Sequence, residues 1–238
     1  QYMIAGPWGH GAYHATKYGE WDFGADAGIN MHDYWLRFLD LWLKDIDDGI
    51  SEEPHARYFQ MGENYWESAD TWPPAGSELR EWYLDSDGDA TGLGGSGRLS
   101  QSTPPVAASD SYTYDPADPV KTHGGQIYWG LSEFYDVGPM DQRDILRRDD
   151  VLFYQSERLA EPLKIAGKVD LDLWIASSAP DTDFIAKFCV VEPMGRVTVL
   201  TVGSIRCRYR ESWSDPKPLE SDTPAQVSIS LSDIAYTF

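Results

Sequence analysis

The chemistry-bearing residues of this chain begin with His10, which closes the run Gly6-Pro7-Trp8-Gly9-His10. A histidine on a loop just past a strand suits a general base: it can meet a substrate while the strand behind it fixes its position. On residue type alone a structural histidine is the commoner reading. His14 follows four residues later, and on a helix that spacing could hold a metal ion. Gly9 and Gly11 argue against a helix there, and no third ligand is evident. Asp85-Ser86-Asp87-Gly88-Asp89 resembles the start of a calcium loop, but Ala90 and Ser96 stand where glycine and glutamate are required. A hairpin is the expectation for this segment, and a solvated helix end for Asp45, Asp47 and Asp48. No Gly-x-Ser-x-Gly elbow occurs; Gly94-Gly95-Ser96-Gly97 lacks its last glycine. Cys189 and Cys207 lie in apolar strand-like runs. A turn at Pro193-Met194-Gly195 would set Cys189 near Leu200, so two free, mostly buried thiols are expected. Tyr128 and Trp129 sit on a glycine-bounded loop, where they could face a ligand or plug the end of a sandwich. No metal and no cofactor is expected.

The elements that must position these groups change character along the chain. Tyr2-Met3-Ile4-Ala5 reads as a short buried strand, which Gly6-Pro7 must end. From about Gly28 to Lys44 the pattern is helical, with Met31, Tyr34, Trp35, Phe38, Leu41 and Trp42 on one apolar stripe. Gly49 is the expected left-handed cap. A strand follows over Ala56–Met61. Trp72-Pro73-Pro74-Ala75-Gly76 is a composition break, and the expected domains are 1–76 and 77–238. Beyond it, short strand-like runs replace helical periodicity: Arg80–Leu84, Ser111–Tyr114, Val151–Gln155, Lys168–Ile175, Phe184–Val191, Val197–Val202, Ile205–Arg210 and Val227–Leu231. Lys168–Ile175 alternates, with Val169, Leu171, Leu173 and Ile175 on one face. Such a series suggests a β-sandwich or jelly roll.

The 238 residues carry a net charge of −20, which excludes nucleic acid and an anionic membrane surface as partners. No apolar run reaches the ~20 residues of a membrane helix. A soluble chain is expected, with the cytoplasm slightly favoured and a homo-oligomer left open. Because the sequence opens inside a strand, a fragment of a longer polypeptide is expected.

Several motifs in order resemble the cocaine esterase and X-Pro dipeptidyl-peptidase family of serine hydrolases. Gly6-Pro7-Trp8-Gly9-His10 is similar to its histidine motif. Arg57-Tyr58-Phe59-Gln60-Met61-Gly62-Glu63-Asn64, with Trp66 and Trp72-Pro73, resembles the segment closing its α/β-hydrolase domain. Tyr83-Leu84-Asp85-Ser86-Asp87-Gly88 resembles the entry to its jelly roll. Tyr114–Val120, Gly138–Arg143, Arg148–Leu152, Ser178–Phe184 and Arg208–Ser212 follow in family order. The resemblance implies a mainly β fold: a galactose-binding-like jelly roll, shortened at its end, preceded by the last αβ portion of an α/β-hydrolase domain. It implies a Ser-His-Asp triad in which His10 is the histidine and whose serine and aspartate this chain lacks. It also implies Trp8 packed near His10, and Tyr128 and Trp129 at positions that wall the acyl pocket, these three being the substrate-side residues. The implied partners are a small ester or peptide substrate and the missing amino-terminal catalytic portion. The rival expectation is a non-catalytic β-sandwich module that binds carbohydrate or protein.

Overall fold

A computed structural model describes residues 2–105, 108–126 and 136–238, and its regular structure is mainly β-strand. The first part of the chain holds β1 (Met3–Ala5), β2 (Lys17–Tyr18), β3 (Trp21–Asp22), α1 (Met31–Lys44), β4 (Ala56–Gln60) and β5 (Tyr65–Ala69). The rest holds β6 (Tyr83–Asp85), β7 (Arg98–Ser100), β8 (Lys164–Ile175), β9 (Asp183–Val191), β10 (Val197–Arg206) and β11 (Ala225–Thr237).

β1, β4 and β5 form one sheet in that order, β1 parallel to β4 and β4 antiparallel to β5. The apolar residues of α1 recur at three and four, which makes the helix amphipathic. Met31 is buried and Tyr34 and Leu41 are half-buried, but Trp35, Phe38 and Trp42 of the same stripe are exposed. The helix ends earlier than Gly49. Asp45 takes the left-handed conformation (φ 57°), and the Ile46 N–H closes on Asp40 O at 3.1 Å. Aspartate tolerates that conformation better than most residues. Gly49 (φ 99°) instead precedes a short 3-10 turn at Ile50–Glu52.

The main core lies between two antiparallel pairs, β8 with β11 and β9 with β10. The alternation in β8 does what it predicts: Val169, Leu171, Leu173 and Ile175 turn inward against Val227, Ile229 and Leu231 of β11 and Phe184, Ala186 and Phe188 of β9. β10 runs unbroken through Gly203 to Arg206, and a 3-10 turn at Cys207–Tyr209 takes the remainder of the run expected at 205–210. In β11, Leu231 and Ser232 together oppose one residue of β8, because Ser230 pairs with Asp170 and Asp233 with Lys168. This is a β-bulge, and Ser232 has φ 71°. Burial alternates on odd residues up to Leu231; after two exposed residues it resumes at Ile234.

Two expected strands do not form. Ser111–Tyr114 has no regular structure, and Val151–Gln155 makes only single bridges, Leu152 to Thr91 and Gln155 to Arg98. The reason is local. Phe153 N–H goes to Ala90 O and Gln155 N–H to Gly97 O, and Tyr154 OH reaches Asp110 Oδ2 at 2.7 Å, so these groups are satisfied by loops. β6 and β7 do form a hairpin around Asp85–Asp89, but residues 86–97 make a wide loop rather than a tight turn. The carboxylates of Asp85 and Asp87 bind Arg98 at 3.1 and 2.9 Å, and Asp89 Oδ1 accepts from Thr91 N–H.

The two parts join where β4 ends beside β11. Met61 N–H donates to Ala235 O (3.1 Å) and Thr237 N–H to Met61 O (2.9 Å). Gln60, wholly buried, donates through Nε2 to Thr237 Oγ1 (3.0 Å) and Ile165 O (3.3 Å). Trp72 Nε1–H donates to Asp233 Oδ2 at 2.9 Å. No helix among the described residues is long and apolar enough to cross a membrane.

Candidate active-site loop

β1 and β4 run parallel with Met3, Ile4 and Ala5 opposite Ala56, Arg57 and Tyr58. Open α/β sheets collect their ligands beyond the carboxyl ends of parallel strands, and that is where Gly6-Pro7 turns the chain out. Trp8 folds back over Gly6. A Cβ on Gly6 would lie 2.4 Å from the indole, so only glycine admits this packing. The Trp8 Nε1–H donates to Ala27 O at 2.8 Å. Its ring meets Tyr13 edge-on at 5.7 Å and Trp66 at 5.5 Å. Trp8 is therefore an anchor on three sides and half-buried.

From that anchor the chain makes two turns. Ala12 N–H closes on Gly9 O (3.2 Å), leaving His10 and Gly11 at the centre. Gly11 has φ 75°, a conformation that favours glycine at the second central position of such a turn. Ala15 N–H then closes on Ala12 O (2.9 Å) around Tyr13 and His14. Ile29 N–H to Tyr13 O (2.7 Å) and Phe23 N–H to Thr16 O (2.8 Å) tie the loop down. His10 is exposed at the apex of the first turn and His14 on the second. Turns, not a helix, separate them, so the spacing of four does not align them on one helical face. Among the described residues no three His, Cys, Asp or Glu side chains converge on a point that could hold a metal ion.

Tyr128 and Trp129 lie outside the described residues. The backbone on either side of them is described. Gly124 N–H donates to Asp136 O (3.1 Å), Gly125 and Gly138 exchange bonds of 2.7 and 2.9 Å, and His123 Nδ1 stands 2.8 Å from Asp136 Oδ2. This neck meets the His10 loop through Tyr18. A Cβ on Gly9 would be 2.6 Å from one edge of that ring, and a Cβ on Gly138 would be 2.5 Å from the other. Glu20 adds N–H to Pro139 O (3.0 Å) and accepts from Asp141 N–H (3.1 Å). Segments more than a hundred residues apart thus rest on the two edges of one ring. Tyr18 escapes sequence reasoning, since a tyrosine before Gly19 has no signature.

Cys189 and Cys207 are free, and cross-strand pairing sets Cys189 opposite Val199, beside the irregular position at Leu200. Burial pushes the Cys189 thiol up to about 12 and the Cys207 thiol above its usual value. Both are poor nucleophiles.

The family described as the X-Pro dipeptidyl-peptidase C-terminal non-catalytic domain matches residues 48–238. A cocaine esterase from Rhodococcus sp. (strain MB1 Bresler) is 36% identical over 234 residues, which are 96% of this chain and 40% of that protein. Among solved structures, an aminopeptidase from a marine sediment Thaumarchaeota archaeon is similar with a TM-score of 0.83 at 30% identity. An α-amino acid ester hydrolase is similar with a TM-score of 0.79 at 28% identity. Each similarity covers 100% of this chain and 40% of the other. The chain spans about 40% of the length of the relatives it matches.

Proposed function

Because the chain belongs to the family of the X-Pro dipeptidyl-peptidase C-terminal non-catalytic domain, we propose that it is the carboxy-terminal part of a serine hydrolase cleaving ester or peptide bonds. Residues 1–76 would close the catalytic α/β domain and residues 77–238 would form the β domain behind it. The observation that carries this reading is the His10 turn, which stands just beyond the carboxyl end of a parallel strand and is braced by Trp8.

In this reading His10 takes the proton of a serine hydroxyl as its oxygen bonds to the substrate carbonyl carbon. It returns that proton to the leaving alkoxide or amine as the scissile bond breaks. In the second half it takes a proton from water, which attacks the acyl-enzyme, and gives it back to the serine. A carboxylate on the other imidazole nitrogen would hold the tautomer. Serine and carboxylate belong to the portion of the parent that the relatives have beyond this chain. Trp8 packs beside the His10 turn on the substrate side, and Tyr128 and Trp129 wall the acyl pocket.

The 238-residue chain alone is expected to leave p-nitrophenyl acetate unhydrolysed. In the parent enzyme His10→Ala should lower kcat by at least about 10²–10⁴-fold. Turnover by the purified chain that disappears with His10→Ala would overturn the assignment of the nucleophile to another part of the parent.

A further inference from the structure

Tyr18 stands between the His10 turn and the β domain and packs against the main chain of both. It lies in β2, whose hairpin with β3 turns through Gly19 and Glu20. On one edge of the ring, Cε2 and the hydroxyl oxygen would be 2.6 and 2.7 Å from a Cβ on Gly9. On the other edge, Cδ1 would be 2.5 Å from a Cβ on Gly138. Both glycines therefore meet the ring with bare backbone. Such a contact has no rotamer to relax into, and close-packed interiors pass displacement on.

The far side of the ring is firmly founded. Glu20 N–H donates to Pro139 O at 3.0 Å, and its carboxylate accepts from Asp141 N–H at 3.1 Å and pairs with Arg196. The limb 138–142 is itself bonded to β10, through Val199 N–H to Met140 O (3.2 Å) and Gln142 N–H to Val197 O (2.7 Å). The near side is the flank of the catalytic turn. Gly9 opens the turn that has His10 at its apex, and the turn closes through Ala12 N–H at 3.2 Å, the long end of the hydrogen-bond range. Trp8 fixes the residue before Gly9; Tyr18 meets Gly9 itself.

We infer that Tyr18 is a positioning residue for His10: its ring carries the position of the β domain to the backbone of the turn. A domain whose family is described as non-catalytic, and whose match includes Gly138, thereby sets how well the histidine is aimed. The inference rests on the reading of His10 given above. Aim matters because a misplacement of about 1 Å can cost about 10²-fold in rate.

The test is made in the parent enzyme. Tyr18→Leu should lower kcat about 10–100-fold and move KM less than about threefold, since the loss falls on aim and not on substrate contact. The acid limb of kcat/KM should move to lower pH, because an imidazolium turned from its carboxylate loses that stabilisation. Tyr18→Phe keeps both ring edges and should recover most of kcat. Gly138→Ala should also lower kcat, and its cost should shrink at least about threefold once Tyr18→Leu removes the ring. Gly138 has φ 74°, so strain confined to that position would instead add in full. In the 238-residue chain, amide exchange at Ala12 should quicken at least about fivefold in Tyr18→Leu and stay as in the wild type in Tyr18→Phe. Urea midpoints check that each variant folds; should Tyr18→Leu fail, Gly9→Ala presses on the same ring edge and should give the same kcat loss and pH shift. Unchanged kcat and acid limb with an inactive His10→Ala would overturn the inference alone, and so would a Gly138→Ala cost that adds in full. An active His10→Ala would remove the catalytic reading. Amide exchange at Ala12, which needs no catalysis, then decides whether Tyr18 holds the turn, and an unchanged rate would overturn that.

Discussion

At the scale of single residues, the loop around His10 is legible because glycine and proline have few alternatives. Gly6-Pro7 must end the strand, and Gly11 permits the turn that lifts His10 to its apex. The orientation of Trp8 is not legible. Its indole is captured by Ala27 O and by Trp66, residues that say nothing locally about position 8. Burial also sets an alkaline limit. Cys189 moves from 9.0 to about 12, and Tyr58 and Tyr236 from 10.0 to about 12, burial being the largest cause in each; for Tyr58 the hydrogen bond to Glu67 adds to it. The folded state holds these protons more tightly than the unfolded state does. Their contribution is whole below about pH 9 and is lost as pH rises from there towards about 12. Chemical-denaturation midpoints should fall across that window. At pH 8 neither cysteine should react with Ellman's reagent until the chain is unfolded. A fast-reacting thiol in the folded protein would contradict the burial.

At the scale of elements, β8 and β9 follow from alternation, whereas 111–114 and 151–155 do not become strands because loops satisfy their backbone. Apolar composition marks a segment as able to pair; it does not say whether a partner strand is free. The end of β4 shows the converse. Gln60 is a polar residue in an apolar run, yet it is wholly buried, and it ties β4 to β8 and β11. Gln60→Ala should cost about 1–3 kcal/mol, the usual penalty for stranding buried partners. A urea midpoint indistinguishable from the wild type would show that the junction does not depend on it.

At the scale of the whole molecule, the family order of motifs was readable from end to end, and the family match over 48–238 agrees with it. What sequence patterning could not tell is how much of α1 this chain covers by itself, since an apolar stripe looks the same whether its partner is present or not. The junction predicts how the molecule unfolds. Met61, Trp72 and Lys164 each bond across it, the last to Glu67 at 2.5 Å. Residues 1–76 and 77–238 should therefore unfold together, with tryptophan fluorescence and far-UV circular dichroism giving one coincident urea transition. Two separated midpoints would show the parts to be independent.

The bulge at Leu231–Ser232 acts on β11 as a change of phase. Ahead of it the odd-numbered residues Val227, Ile229 and Leu231 fill one core; behind it the even-numbered Ile234 and Tyr236 fill another. One strand thus serves two cores on opposite counts. Losing Ser232 would leave Leu231 opposite Val169 and Asp233 opposite Lys168, a regular ladder in which Ile234 and Tyr236 keep their side, whereas one further residue inserted after it would turn them to the other face. Because that extra residue stands at φ 71°, the position admits glycine or asparagine far more readily than a β-branched side chain.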